Sequence, residues 1–442
     1  MLEQVGGKIK EIRKELKMTQ SQLAGEELTK SMLSQIENNL SNPSMKTLQY
    51  IANRLNKSIA YFLEEKNIEN NPRTSYDNLT ADFEQTIKTI NDNIEKSLFK
   101  QAQHLLEDLL IKGSIKNPSK LLEDIAYKLG KSLIEINNYD EGERYINLSI
   151  EWCLNNKHHI EAAKAYLELS RRFLDEYKYE ECLNIINRTF EIYNKSINSD
   201  IPFEIELYFH KILVISSIVE GDKLIELIDE ALSISNQSNM YYKTGELYRL
   251  KATANYLKGN YEEFDNAIKK AYQFAEFSED KASLSNIHLT QSMVAIEKND
   301  PEKALEHIEL QYKYMGKKIY LYHLQKAKAH YLLGNYQEAY EYIQLVEFPS
   351  YTKVKLDYLI MWSSKIYEGL ILNKLGRYTE ALEAIKYGIE KMEFFDASSF
   401  LTNAYKFLAE VYSDRQDFEN AFISLKKADA VQMKVSNFIK II

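Results

Sequence analysis

A chain of 442 residues with 45% hydrophobic side chains can bury large cores, and with only six prolines and fourteen glycines it favours long helices over many turns. No run approaches ~18 uninterrupted apolar residues, and the start "MLEQVGGKIKEIRKELK" lacks the apolar core of a signal peptide, so a soluble, cytoplasmic protein is expected. The net charge of −9 argues against nucleic acid only if it is evenly spread, and it is not: residues 1–63 carry seven Lys and two Arg against six Glu, a balance of +3 that leaves −12 for the remainder.

From the N-terminus, Val5, Ile9, Ile12 and Leu16 form the apolar stripe of a first helix. Thr19 with Gln22 three residues on is a capping-box pair, so a second, short helix should begin at Gln20, with Leu23 and Ala24 inward and Gly25 opening a tight turn. Thr29 can cap a third helix in which Leu33 and Ile36 face inward and Lys30, Ser31, Ser34 and Gln35 face out. Short amides and hydroxyls on an outward face suit a helix that contacts base edges in a major groove. Ser44 can cap a fourth helix, "MKTLQYIANRL", with Leu48, Ile51, Ala52 and Leu55 inward, and a fifth, "IAYFLEE", follows Ser58.

Five short helices around one core, the second and third joined by a tight turn, make a helix-turn-helix domain. The run "MTQSQLA…SMLSQIENNLSNPSMKTLQYIANRL" resembles the phage-repressor (Xre/Cro) type over about 60 residues. The resemblance implies DNA contacts from Gln20, Lys30, Ser31, Ser34, Gln35, Asn39, Ser41 and Lys46. Glu37 is expected to anchor the domain internally.

The helix-turn-helix is expected over 1–65 and a polar linker over 66–78, with 79–442 a repeat region. "GNYEEF" at 259, "GNYQEA" at 334 and "GRYTEA" at 376 each follow one amphipathic helix and open another. "NNYDEG", "YKYEEC", "NDPEKA" and "RQDFENA" are weaker copies. The residue three after the aromatic position recurs as Ala102, Gly142, Cys182, Ile225, Phe264, Ala304, Ala339, Ala381 and Ala421, at spacings of 40, 40, 43, 39, 40, 35, 42 and 40. About nine helical hairpins follow, each too small to bury its apolar face alone and so stacked on its neighbours. The pattern resembles the tetratricopeptide repeat with a longer unit, and the fold class is all-α: a five-helix head and a right-handed superhelix of hairpins.

Such a superhelix lines its concave surface with the first helix of each pair. Counting back from the small residue gives Lys164 and Arg171, His210 and Lys211, Arg249 and Thr253, Asn286, Lys328 and Tyr331, Asn373, and Asn403 and Lys406. Asn and Arg there can hold an extended peptide by its backbone amides and carboxylate. Arg171, Lys211, Arg249, Asn286, Lys328, Tyr331, Asn373 and Asn403 are the candidate ligand contacts.

Head and repeats together resemble the Rap/NprR/PlcR/PrgX peptide-pheromone receptors of Gram-positive bacteria. That resemblance implies a homodimeric or tetrameric regulator that binds operator DNA and is controlled by a short re-imported peptide. The alternative is a repeat scaffold that sequesters a sporulation phosphorelay protein. No catalytic constellation, phosphate loop, metal cluster or cofactor motif is apparent. Cys153 and Cys182 read as buried thiols, and His158 and His159 as exposed between helices.

Overall fold

The computed structural model describes residues 5–16, 18–25, 27–38, 43, 45–55, 57, 62, 76–113, 119–218, 222–349, 352, 354–395 and 397–441. These residues form helices and their connections, with no strand among them, and none of their helices is long and apolar enough to cross a membrane. The chain divides into two compact units, Met1–Ala81 and Asp82–Ile442.

The first unit holds α1 (Val5–Glu15), α2 (Gln20–Ala24), α3 (Lys30–Glu37) and α4 (Met45–Arg54). Their inward stripes meet in one core that includes Val5, Ile9, Ile12, Leu23, Leu33, Ile36, Leu48, Ile51 and Phe62. Leu16, expected in that stripe, is exposed. The chain leaves the helix there, Met18 N donating to Arg13 O at 3.0 Å, and turns into the next cap. Thr19 and Gln22 form the reciprocal capping box, and the Thr29 hydroxyl accepts from Met32 N at 3.1 Å. Gly25 has φ +57°, and a Cβ on it would lie 2.2 Å from the Tyr50 hydroxyl. That hydroxyl donates to Ala24 O at 3.0 Å and Arg54 Nη2 to Gln22 O at 2.7 Å, so α4 clamps the end of α2 across the glycine. The Ser44 cap and the expected fifth helix apart from Phe62 lie outside the described residues, as does the expected linker up to residue 75. Residues 76–78, expected in that linker, instead open a helix.

The second unit, which begins within the first helix of its first hairpin, is a helical-repeat superhelix, and the described residues from Tyr76 on supply nine hairpins. In chain order they are α5 (Tyr76–Glu95) with α6 (Phe99–Gly113), α7 (Lys120–Glu135) with α8 (Tyr139–Asn155), and α9 (His159–Glu168) and α10 (Ser170–Asp175) with α11 (Tyr179–Tyr193). Next come α12 (Ile201–Ile218) with α13 (Asp222–Ser238), α14 (Thr244–Leu257) with α15 (Tyr261–Phe277), and α16 (Lys281–Glu297) with α17 (Pro301–Met315). The last three pair α18 (Tyr320–Leu332) with α19 (Tyr336–Gln344), α20 (Lys355–Lys374) with α21 (Tyr378–Met392), and α22 (Ser399–Asp414) with α23 (Phe418–Ile441).

The motif glycines end the first helices. Gly259, Gly334 and Gly376 have φ of +80°, +78° and +80°, the left-handed position glycine occupies without a Cβ penalty. Ala102, Cys182, Ala304, Ala339 and Ala381 are buried at the helix crossings. Gly142 is the extreme case, since a Cβ there would sit 2.6 Å from Ile134 Cγ1 and 2.9 Å from Gly130 O. The fourth hairpin differs from expectation: Ile225 is only half-buried, and the core is made by Ile228, Ala231 and Leu232. "EGDKLI" lacks the aromatic of the motif, so the count misplaces the contact.

Cys153 and Cys182 are buried and free, and burial pushes both thiols up to about 12. His158, expected exposed, lies with Nδ1 2.7 Å from Oε2 of the buried Glu123.

Candidate functional site

Two surfaces carry the expected contacts, one in each unit. In the head, α3 is positioned by a buried ion pair. Arg13 Nε and Nη2 donate to the two carboxylate oxygens of Glu37 at 2.5 and 2.9 Å, and Gln20 Nε2 adds a third bond at 2.8 Å. Burial raises the Glu37 pKa, but the Arg13 and Gln20 hydrogen bonds and the Arg13 charge outweigh it and hold the carboxyl below its ordinary value. Glu37 thus anchors the helix internally. Gln20, expected to contact DNA, has its carboxamide turned inward to Glu37.

With Leu33, Ile36 and Glu37 buried, the opposite face of α3 is outward: Lys30, Ser31 and Gln35 are exposed and Ser34 half-buried. Met32, which the sequence reading missed, is 47% exposed beside them. Its isolation from the core pattern was the available signal. Asn38 closes the helix, donating Nδ2 to Ser34 O at 2.9 Å and accepting from Lys10 Nζ at 2.8 Å. Asn39 and Ser41 lie outside the described residues, as does the side chain of Lys46.

In the repeats, successive first helices are tied together by polar contacts along their shared face. Arg249 makes a two-point pair with Glu246 and donates Nη1 to Thr290 Oγ1 at 3.2 Å. The Thr290 hydroxyl donates in turn to Asn286 O at 3.0 Å, so Arg249, Thr290 and Asn286 are brought together. The Asn286 carboxamide itself makes no hydrogen bond among the described residues.

A second group joins Lys328 and Tyr331 to the next first helix. Lys328 Nζ donates to Ser363 Oγ at 3.2 Å and stands 4.7 Å from the centre of the Tyr367 ring, which meets Tyr331 edge to face. Asn373 is committed to Asp414 at 2.8 Å, Arg171 faces Glu135 at 3.7 Å, and Lys211 lies over Phe190. Asn403 is exposed. Glu246 and Ser363, which the sequence reading missed, lie in the register of Asn286 and Asn403, eighteen residues before the small residue of their repeats.

A helix-turn-helix family profile matches residues 9–62. The immunity repressor protein of Bacillus phage phi105 is 35% identical over 95 residues, which are 21% of this chain and 66% of that repressor. Among solved structures, the apo form of the quorum sensor NprR from B. thuringiensis superposes with a TM-score of 0.50 at 13% identity, over 80% of this chain and 99% of that one. The apo form of RapI does so with a TM-score of 0.52 at 13% identity, over 80% and 98%. The chain therefore carries a helix-turn-helix head and shares the fold of NprR and RapI.

Proposed function

We propose that the chain is a DNA-binding transcriptional regulator whose head reads an operator and whose repeat groove binds a short signalling peptide that controls it. The observation that carries this reading is the pairing of two surfaces within one chain. One is an outward polar face on α3, held rigid by a buried Arg13–Glu37 pair. The other is a row of polar side chains on consecutive first helices, several of them bonded to the next repeat, in which the Asn286 carboxamide has no hydrogen bond among the described residues. The Asn286 carboxamide offers both a donor and an acceptor to an extended backbone, whose buried polar groups cost roughly 1–3 kcal/mol each when unpaired. The likeness to the phage repressor supports the DNA half, and the fold shared with a quorum sensor supports a signal-sensing role for the repeats. Two such heads on one duplex call for a dimer and a palindromic operator.

The test is in two parts. Selection from random duplex DNA by the full chain should enrich one palindromic motif. Calorimetric titration of synthetic peptides of five to ten residues should then find a ligand whose affinity falls about 10-fold in Asn286→Ala. Failure to enrich any motif would overturn the DNA half, and equal affinity in the variant would overturn the groove assignment.

A further inference from the structure

Several cations on the first helices of the repeats are matched by acids, and Lys328 is not. Lys131 pairs with Glu168 at 2.8 Å, Lys164 with Asp200 at 2.6 Å, Arg249 with Glu246, and Lys374 with Asp414 at 3.1 Å. Lys328 is 8% exposed, the most enclosed cation of this set. Its one hydrogen-bond partner among the described residues is the Ser363 hydroxyl, and no carboxylate among them lies within ion-pair distance. The ring of Tyr367 offers only the weaker attraction of a π face. A buried charge is costly unless it is paired. Burial accordingly lowers the Lys328 ammonium to about 8, with no neighbouring charge to offset it.

Three residues before Lys328 on the same helix, and so on the same side, Gln325 is 1% exposed. Neither its Nε2 nor its Oε1 has a hydrogen-bond partner among the described residues. The Ser363 hydroxyl proton is already spent on Ile360 O at 2.6 Å, so Ser363 can only accept. An ammonium has three N–H groups, and one goes to Ser363. Two Lys328 donors and the Gln325 amide therefore remain without a partner among the described residues, three positions apart on one helix and with the Tyr367 ring beside Lys328.

We infer that Lys328 and Gln325 form a carboxylate-binding subsite in the groove, which takes one carboxylate of the peptide ligand. One fixed positive charge balances one carboxylate, whereas a phosphate dianion would leave a buried negative charge. A carboxylate's two oxygens also match a cation and an amide donor on adjacent turns. The inference rests on the peptide reading above and gives the ligand its chemistry at one point: a free C-terminus or an acidic side chain docks at α18.

The probe is a pool of synthetic heptapeptides made twice, with free and with amidated C-termini, passed over the full-length protein and read by mass spectrometry. Wild type should retain carboxylate-bearing peptides about 10-fold or more over their neutral counterparts. The preference should fall on free-acid peptides if the C-terminus docks, and on Asp- or Glu-containing peptides of the amidated pool if a side chain does. Lys328→Met should lose the preference while melting at the same or a higher temperature than wild type, because it removes an unpaired buried charge. Lys328→Arg should keep the preference in part. Equal retention of charged and neutral peptides by wild type, or an unchanged preference in Lys328→Met, would overturn the subsite and leave the peptide reading standing. Retention of no peptide from either pool would overturn both.

Discussion

Glu37→Gln isolates what holds α3 in place. In the wild type the Glu37 carboxylate is 2% exposed and receives two bonds from Arg13 and one from Gln20. The amide keeps the shape but removes the charge, and it turns one acceptor into a donor that faces other donors. Breaking a buried ion pair by removing one partner costs about 3–5 kcal/mol. Arg13 keeps its bond to Met18 O at 2.7 Å and one amide oxygen, which places the cost near the lower end, about 3 kcal/mol. At 1.36 kcal/mol per decade that is roughly 100-fold faster hydrogen exchange for the α1–α3 amides.

The wild type should also show a pH signature. A carboxyl held below its ordinary value of 4.5 contributes stability that is present above that value and is lost as pH falls through the lowered one. Protection of the head should therefore be flat from pH 7 to 5 and decline below, and Glu37→Gln should lack that decline. Hydrogen exchange with mass spectrometry on the full chain reads both effects. Equal protection of residues 5–37 in variant and wild type would refute the reasoning. The double variant Arg13→Met/Glu37→Met, which buries no charge, should recover most of the loss.

Ser34→Ala with Gln35→Ala should weaken discrimination between the selected operator and its single-base variants by about 1–3 kcal/mol per lost base contact, without changing protection of the head, because neither side chain is in the core. Competition gel shifts measure it, and unchanged discrimination would mean that another face of α3 meets the bases. Gly142→Ala should cost about 1–3 kcal/mol, since a Cβ would meet Ile134 and the Gly130 carbonyl below 3 Å. A urea midpoint shift with an unchanged slope would report it.

What was legible in the sequence is what neighbouring residues decide. The caps of α2 and α3 are side-chain chemistry within three residues, so Thr19, Gln22 and Thr29 could be read directly. The hairpins could be counted because helices that cross closely demand a small residue at the crossing, and the motif supplies it about every 40 residues. The count failed at Ile225, where the aromatic that sets the register is missing. The turned-in Gln20 was not legible, because its partner Glu37 lies 17 residues away across a tertiary contact. Nor was the contrast between Lys328 and the lysines paired across repeats, such as Lys164 and Lys374, since each depends on which residue of the next repeat, 35 to 40 positions on, comes opposite.

Tyr177 shows most plainly what stacking logic misses. It occupies the turn position of Gly259, Gly334 and Gly376, with φ +57°, a conformation that costs a residue with a Cβ roughly 1–2 kcal/mol. Its side-chain contacts come from far along the chain. The Tyr177 hydroxyl lies 2.8 Å from that of Thr352, 175 residues on, and its ring meets those of Tyr358, Phe394 and Phe395 edge to face at 5.6, 5.7 and 5.3 Å. A solenoid in which each repeat touches only its neighbours has no such contact. Here the third hairpin is tied to the eighth, so the array closes on itself. The same closure brings Asp357, on the eighth hairpin, near enough to Arg249, on the fifth, for that charge to oppose the rise that burial imposes on the Asp357 carboxyl. Side chains three hairpins apart in sequence thus come within electrostatic reach of one another, which stacking of neighbouring repeats alone does not provide.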